Sequence, residues 1–296
     1  MDESRLLAHI YARAAGTVPE GVLVGPGDDC AVIESASGAP PLLLTVDQLI
    51  EGRHFEPDTL FDRIAHKAIA RSVSDLAAMG GAPIGALCAA SLPASFTRDD
   101  ELFDHAHRAA GALACPLIGG DIARTTGPLT LSITAIGRAH AMRGPVLRSD
   151  ARPGDDLYLT GRLGGSFESG RHLSFTPRLG EGTALCDTLG HHLGAMIDLS
   201  DGLGRDAGRI ALASSVRLEI ETALVPMHEG VKDWRRAVAD GEDYELLFTA
   251  RAEVPRTVAG TTIVRIGRVV AGEGCIAIDP EGHHHDIAHA GWDHTA

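Results

Sequence analysis

The chain has 296 residues, 44% hydrophobic and 22% charged, the balance of a globular protein with room for two domains. Its 26 basic and 40 acidic side chains leave a net charge of −14, which argues against nucleic-acid and anionic-membrane partners. No apolar run approaches the ~18 residues of a membrane span, and the opening MDESRLLAHI lacks the basic-then-apolar pattern of a signal peptide.

In chain order, residues 4–15 place Leu6, Leu7, Ile10, Tyr11 and Ala14 on one helical stripe, with Ser4 positioned to cap it. The Gly/Pro-rich loop VGPGDD follows, and 41–47 (PLLLTVD) reads as a buried strand ending in Asp47. Residues 62–79 form a strong helix with Ile64, Ala68, Ile69, Ser72, Val73 and Leu76 on one face, stopped by Gly80-Gly81. A strand is expected at 83–92, then a helix to about Cys115 opened by a capping box, Thr97-x-x-Asp100. PLIGGD (116–121) reads as a short strand ending in Asp121, and 128–139 as another. The turn ARPGDD (151–156) marks a junction. We therefore expect an N-terminal α/β domain over 1–147 and a C-terminal α+β domain over 148–296. In the second block DLYLTG, AMIDLS, RLEIE, YELLFTA, VRIGRVV and CIAIDP read as strands, and TALCDTLGHHL and DGLGRDAGRIALAS as helices. The HHH run at 283–285 reads as loop histidines. The five cysteines include no C-x-x-C pair, and most sit in apolar stretches, as expected of buried, reduced thiols in a cytoplasmic protein.

The chemistry lies in the aspartates. Asp28 and Asp29 follow Gly25-Pro-Gly27, Asp47 ends a strand, Asp75 flanks a helical apolar stripe, Asp121 follows Gly119-Gly120, and Asp198 lies inside an apolar strand with Asp201 following it in MIDLSDG. A carboxylate beside buried aliphatics is costly unless it is paired, hydrogen-bonded or metal-bound. Oxygen ligands without a matching His/Cys set point to hard cations, magnesium first. Singly, each has a plainer role: Asp201 as a helix cap, Asp28 and Asp29 as turn residues, Asp75 as half exposed, Asp47 and Asp121 as strand ends. Their recurrence after strands and glycines favours metal. LIGGD, TGRLGGS and SDGLG supply backbone N–H groups for phosphate, with Arg148 and Arg178 as candidate counter-charges. No Walker A sequence and no G-x-G-x-x-G fingerprint is present, so nucleotide use would not follow the P-loop or protein-kinase pattern. No hydroxyl nucleophile has an adjacent histidine base. A phosphate monoester needs none, because it is already anionic and the protein need only align it and mask repulsion.

GDDCAVI, TVDQLIEGRHF, KAIARSVSDLAAMGGAP, LIGGD, LRSDARPGD, LYLTGRLGGS, MIDLSDGL, DGEDYELLF and GWDH together resemble the thiamine-monophosphate kinases, in that family's order and over nearly the whole chain. These belong to the aminoimidazole ribonucleotide synthetase-like superfamily. The resemblance implies a two-domain fold with mixed sheets and helices in both domains, and a homodimer joined through the N-terminal sheets. It implies transfer of the γ-phosphate of ATP to thiamine monophosphate, with several Mg²⁺ ions. It matches Asp29, Thr45, Asp47, Asp75, Asp121, Asp198 and Asp201 to metal ligands, with Asp47, Asp75, Asp121 and Asp201 as the catalytic set. Phe103, Gly120, Asp121, Arg148 and Ser200 match ATP contacts, and His54, Glu242 and Trp292 contacts to the thiamine substrate, where an aromatic face suits a thiazolium cation. The chain departs from the family at Val46, where a second hydroxyl residue is common. It departs also at Phe103, where some members have a nucleotide-contacting tyrosine, in a short segment after GGS, and in its DHTA ending. A paralogue acting on another small molecule and a non-catalytic sensor are the alternatives. EGRHF, GEDYELLF and GWDH argue against the first, and the full aspartate set against the second.

Overall fold

The computed structural model describes residues 3–14 and 19–292. The first half contains α1 (Glu3–Ala14), β1 (Val22–Val24), β2 (Ala31–Ile33), β3 (Leu42–Ile50), α2 (Phe61–Ala78), β4 (Ala82–Pro93), α3 (Asp99–Ala112), β5 (Leu117–Thr125) and β6 (Thr130–Arg138). The second contains β7 (Asp156–Thr160), α4 (Ser166–Ser169), α5 (Leu179–Leu189), β8 (Leu193–Asp198), α6 (Leu203–Ser214), β9 (Arg217–Glu221), α7 (Trp234–Ala239) and β10 (Leu246–Ala250). It closes with β11 (Thr257–Val258), β12 (Thr261–Val270), β13 (Gly274–Ile278) and β14 (His284–Asp286). No helix among the described residues is long and apolar enough to cross a membrane.

Two mixed sheets carry the fold. The first runs β1-β2-β3-β6-β4-β5, antiparallel except for the parallel β4–β5 pair. The second runs β14-β13-β9-β12-β7-β10-β8, with β11 appended to β12. One core lies where α2 and α3 cover the first sheet, around Leu43, Ile64, Ile69, Leu76, Leu102 and Ile133. A second lies beneath α6 on the second sheet, around Leu159, Ile197, Ile210 and Leu247. A third joins the halves: Ala78 and Val146 pack with Leu185, Leu189, Met196 and Phe248. β8 and β10 are therefore buried on both faces, which explains their continuous apolar runs.

Several expectations shift. Asp47 and Asp121 do not end strands: β3 continues to Ile50 and β5 to Thr125. The capping box at Thr97 does not form, and α3 starts from Arg98 with no side-chain cap. α5 begins at Leu179, four residues earlier than expected, and ends at Leu189. His284 and His285 lie on edge strand β14, not in a loop, and His283 and His285 both reach the Asp279 carboxylate, at 3.2 and 2.9 Å. The Ser4 side chain lies outside the described residues, and Leu6, Ile10 and Tyr11 of α1 are exposed. Gly80-Gly81 does stop α2, with Gly80 at φ +66° and the Gly81 N–H returning to the Leu76 carbonyl at 2.8 Å.

α5 can lie against α2 because residue 182 is glycine: a Cβ there would stand 2.4 Å from the Ala77 carbonyl oxygen. Helix propensity alone predicts that Gly182→Ala stabilises α5 by ~1 kcal/mol. The close approach reverses the sign, so Gly182→Ala should destabilise by about 1–3 kcal/mol, read as a lowered midpoint in urea unfolding at unchanged m-value.

Candidate active site

Between the halves opens a cleft of about 400 Å³. Asp47, His54, Arg71 and Asp75 line it from the first half, and Ser166, Phe167, Asp198, Ser200, Asp201, Glu242, Tyr244 and Trp292 from the second. Asp29, Asp75 and Asp198 each present an oxygen within 4.8 Å of the others. They come from the loop before β2, from α2, and from the end of β8, so only the tertiary fold assembles them.

Few cations answer this charge. The Arg148 guanidinium forks onto Asp29 at 2.7 and 3.2 Å, and the Arg148 backbone N–H donates to Asp28 at 3.0 Å. The Thr45 hydroxyl donates to Asp75, and the Ser74 hydroxyl to Asp198 at 2.6 Å. Burial and then the neighbouring Asp47 charge push Asp75 well above the usual carboxylate range; burial and Asp29 do the same to Asp198. Burial and the Asp29 charge raise Asp28 to about 6. Such a set fits a hard divalent cation, since its repulsion is relieved by positive charge placed among the oxygens.

Asp201 sits beside this group, and its turn is built by a residue the sequence reading did not single out. The Asp206 carboxylate, fully buried, accepts the N–H groups of Asp201 and Gly202 at 3.0 and 3.1 Å, and Arg209 bridges Asp201 and Asp206. Gly202, one residue beyond Asp201, is the N-cap of α6. Burial raises Asp206 to about 7.

At the other end of the cleft, Lys67 of α2 was also not singled out. Its side chain is fully buried, paired with Glu242 and donating to the His54 carbonyl at 2.8 Å. His54 Nδ1 accepts the Ile50 N–H at 3.0 Å, which orients the ring. Burial pulls the Lys67 ammonium down to about 8, against the opposing pull of Glu242. Its Nζ also stands 5.3 Å over the Phe167 ring, and Phe167 and Trp292 stack at 6.4 Å between centroids. The loop 240–245 docks through its backbone: Glu242 N–H donates to the Ser200 carbonyl at 2.7 Å and Tyr244 N–H to that of Leu199 at 2.8 Å. Glu242 and Tyr244 adopt φ of +64° and +53°, a left-handed conformation costing roughly 1–2 kcal/mol per non-glycine residue.

The remaining candidates lie outside the cleft of a single chain. Gly120 shares a cross-strand row with Asp47, through Ile133 and Cys88. Its lack of a side chain is required locally, because a Cβ would meet the Cys88 carbonyl oxygen at 2.0 Å. Asp121 is exposed and one residue further on, in the row Gln48–Ser132–Ala89–Asp121, so the pleat turns it to the sheet face opposite Asp47. Phe103 packs half-buried from α3 against the first core. Arg178 is held by Glu245, Glu181 and Thr261.

Residues 27–139 match the family described as AIR synthase related protein, N-terminal domain. The chain is 36% identical to the thiamine-monophosphate kinase of Rhodopirellula baltica, over 92% of this chain and 90% of that one. It is 34% identical to that of Escherichia coli K12, over 93% and 89%. A solved structure described as AaThiL complexed with AMPPCP and TMP superposes with a TM-score of 0.82 at 29% identity, covering 99% of this chain and 97% of that one. Hydrogenase maturation protein HypE in complex with ATP shares the fold, with a TM-score of 0.69 at 19% identity, over 96% and 93%.

Fold and site together define a phosphotransferase of the AIR synthase-related class. Within that class the chain belongs to the thiamine-monophosphate kinase family.

Carboxylates with raised pKa values hold protons that the unfolded chain, whose aspartates titrate at their usual 3.8, releases. Their contribution to stability is present at low pH and lost as pH rises through the folded values, about 6 for Asp28, about 7 for Asp206 and higher for Asp75 and Asp198. Without divalent cation, the melting temperature from this source should fall between pH 5 and 8, and Asp75→Asn should flatten that fall. A variant that melts lower than the parent at pH 8 would contradict the repulsion argument.

Proposed function

We propose that this protein transfers the γ-phosphate of ATP directly to thiamine monophosphate, giving thiamine diphosphate and ADP. The observation that carries the proposal is the cleft itself, acidic at one end and lined by His54, Glu242, Phe167 and Trp292 at the other. The family's activity and the AMPPCP- and TMP-bound relative support the same assignment.

In this reading Asp29, Thr45, Asp47, Asp75, Asp198 and Asp201 hold Mg²⁺, and Arg148 and Ser200 contact the nucleotide. Bound Mg²⁺ supplies charge that lets two phosphate anions approach and that stabilises the negative charge spread over the transferring group. The chain's own residues do the rest. Trp292 and Phe167 offer aromatic faces to the thiazolium cation. Lys67 ties His54 to Glu242 so that the acceptor end is formed before substrate arrives. The acceptor phosphate attacks without a general base, and the two halves hold donor and acceptor in line.

We further propose that the protein acts in the cytoplasm as a homodimer, with its first domain, 1–147, carrying the dimer face and the second, 148–296, closing the cleft. Val46 and Leu87 are exposed on the first sheet, and Val46, Thr134, Leu87 and Gly119 form one cross-strand row. Asp121 lies in the next outward-facing row, and in this reading Asp121 as ligand and Gly120 and Phe103 toward ATP act in the assembled dimer.

Two measurements test this. ADP release with ATP, Mg²⁺ and thiamine monophosphate should be robust, and replacement of Asp75 by Asn should reduce it at least ~100-fold, as for loss of a principal electrostatic group; turnover with another acceptor and none with thiamine monophosphate would overturn the assignment. For the assembly, Leu87→Asp should shift the light-scattering mass from dimer to monomer and lower activity with it. An unchanged dimer would place the interface elsewhere.

A further inference from the structure

The floor of the cleft holds two donors that the fold leaves unused. Tyr244 is 2% exposed, and its Oη has no hydrogen-bond partner among the described residues. Arg71 spends its terminal nitrogens on the Gln48 carbonyl at 2.9 Å and on Asp47 at 3.5 Å, while its buried Nε has no partner among the described residues. Both side chains line the cleft, one from each half of the molecule. A buried hydroxyl and a buried guanidinium N–H without acceptors are costly, and native proteins rarely tolerate them except where a ligand completes the set.

The Tyr244 ring is not free to turn away. It stacks on Phe175 with centroids 3.8 Å apart and planes 10° apart. The backbone at Tyr244 is held in its left-handed conformation by the N–H bond to Leu199. A strained residue carrying a buried, partnerless donor, on the same loop as Glu242, is arranged for something that is not protein. That something must accept hydrogen bonds. Asp47, Asp75 and Asp198 already crowd the cleft with acceptors, but none of them satisfies these two donors.

We infer that Tyr244 Oη and Arg71 Nε form an oxyanion subsite that binds the phosphate of the acceptor substrate. The assignment to the acceptor follows from position. Tyr244 lies two residues from Glu242, whose Lys67 pair reaches the His54 loop, whereas Arg148 and the Asp29 loop lie at the opposite, acidic end. A donor from each half also means that the subsite is complete only when the halves are seated against each other. Tyr244 is thus a binding residue for the reacting phosphate and Arg71 its charged partner. The inference rests on the acceptor being thiamine monophosphate.

Tyr244→Phe removes the hydroxyl and keeps the ring on Phe175. Calorimetric titration of parent and variant with thiamine monophosphate, with thiamine, and with AMPPCP tests the assignment. The variant should bind thiamine monophosphate about 10-fold or more weakly, the worth of one hydrogen bond to a charged group. Its affinities for thiamine, which lacks the phosphate, and for AMPPCP should not change. Its ligand-free melting temperature should not fall, because an unsatisfied hydroxyl has been removed. Equal affinity of parent and variant for thiamine monophosphate would overturn the subsite while leaving the function intact. A loss shared by thiamine, or a lowered melting temperature, would make Tyr244 structural. A parent that binds no thiamine monophosphate would overturn the functional reading, and the subsite with it.

Discussion

Like charge confined to one small space is the condition to which the rest of this structure answers. Asp29, Asp75 and Asp198 bring oxygens within 4.8 Å of one another, with Asp47 close enough to raise Asp75 further. No element could hold them alone, and their repulsion works against the packing that brings them together. The apolar cores must therefore supply the stability, which they do by closing around α2 and β8. Arginines are distributed around the margin: Arg148 on Asp29, Arg209 on Asp201 and Asp206, Arg71 near Asp47. They lessen the cost without filling the space between the three carboxylates, and that space is where a cation gains most.

α2 is the member through which the two halves meet this condition. Lys67, Arg71 and Asp75 recur at intervals of four, which in a helix of 3.6 residues per turn sets them on one stripe. That stripe runs along the cleft from the acceptor end to the acidic end, Lys67 reaching Glu242 and Asp75 joining Asp29 and Asp198. The apolar face of α2 packs on the first sheet and on the second half, down to the contact at Gly182. One helix therefore fixes the spacing between the two ends, and its rigidity transmits to the distance between the two phosphates that must react.

The aspartates were legible because a carboxylate inside an apolar strand contradicts its surroundings, as at Asp198, and the long helix α2 was legible from its period. What was not legible follows from the same logic. Lys67, Arg71 and Asp206 lie on amphipathic helices, where a charged residue every third or fourth position looks like a solvated face; only tertiary packing covers them. Tyr244 looked like part of a strand, but β10 begins two residues later and the left-handed backbone before it has no sequence marker without glycine. The separation of Asp121 from Asp47 depends on strand register, which local pattern does not encode across Ser132 and Ala89. β1, β2 and β14 have three residues each, too few to show a period.

The cleft's polarity has a consequence for the order of forces during transfer. On the proposed reading both substrates bring phosphate to a chain already carrying excess negative charge, so neither can be drawn in by the whole-molecule field. Attraction must be local. At the acidic end it needs cation between the carboxylates; at the acceptor end the protein itself supplies it through Arg71 and the aromatic faces of Phe167 and Trp292. The buried Lys67–Glu242 pair is nearly neutral as a unit, so it organises His54 without repelling the thiazolium cation. The acceptor is then recognised at both of its ends, by aromatic faces for its cation and by buried donors for its anion. Held at two points between parts from both halves, its phosphate has little freedom left except along the line toward the donor.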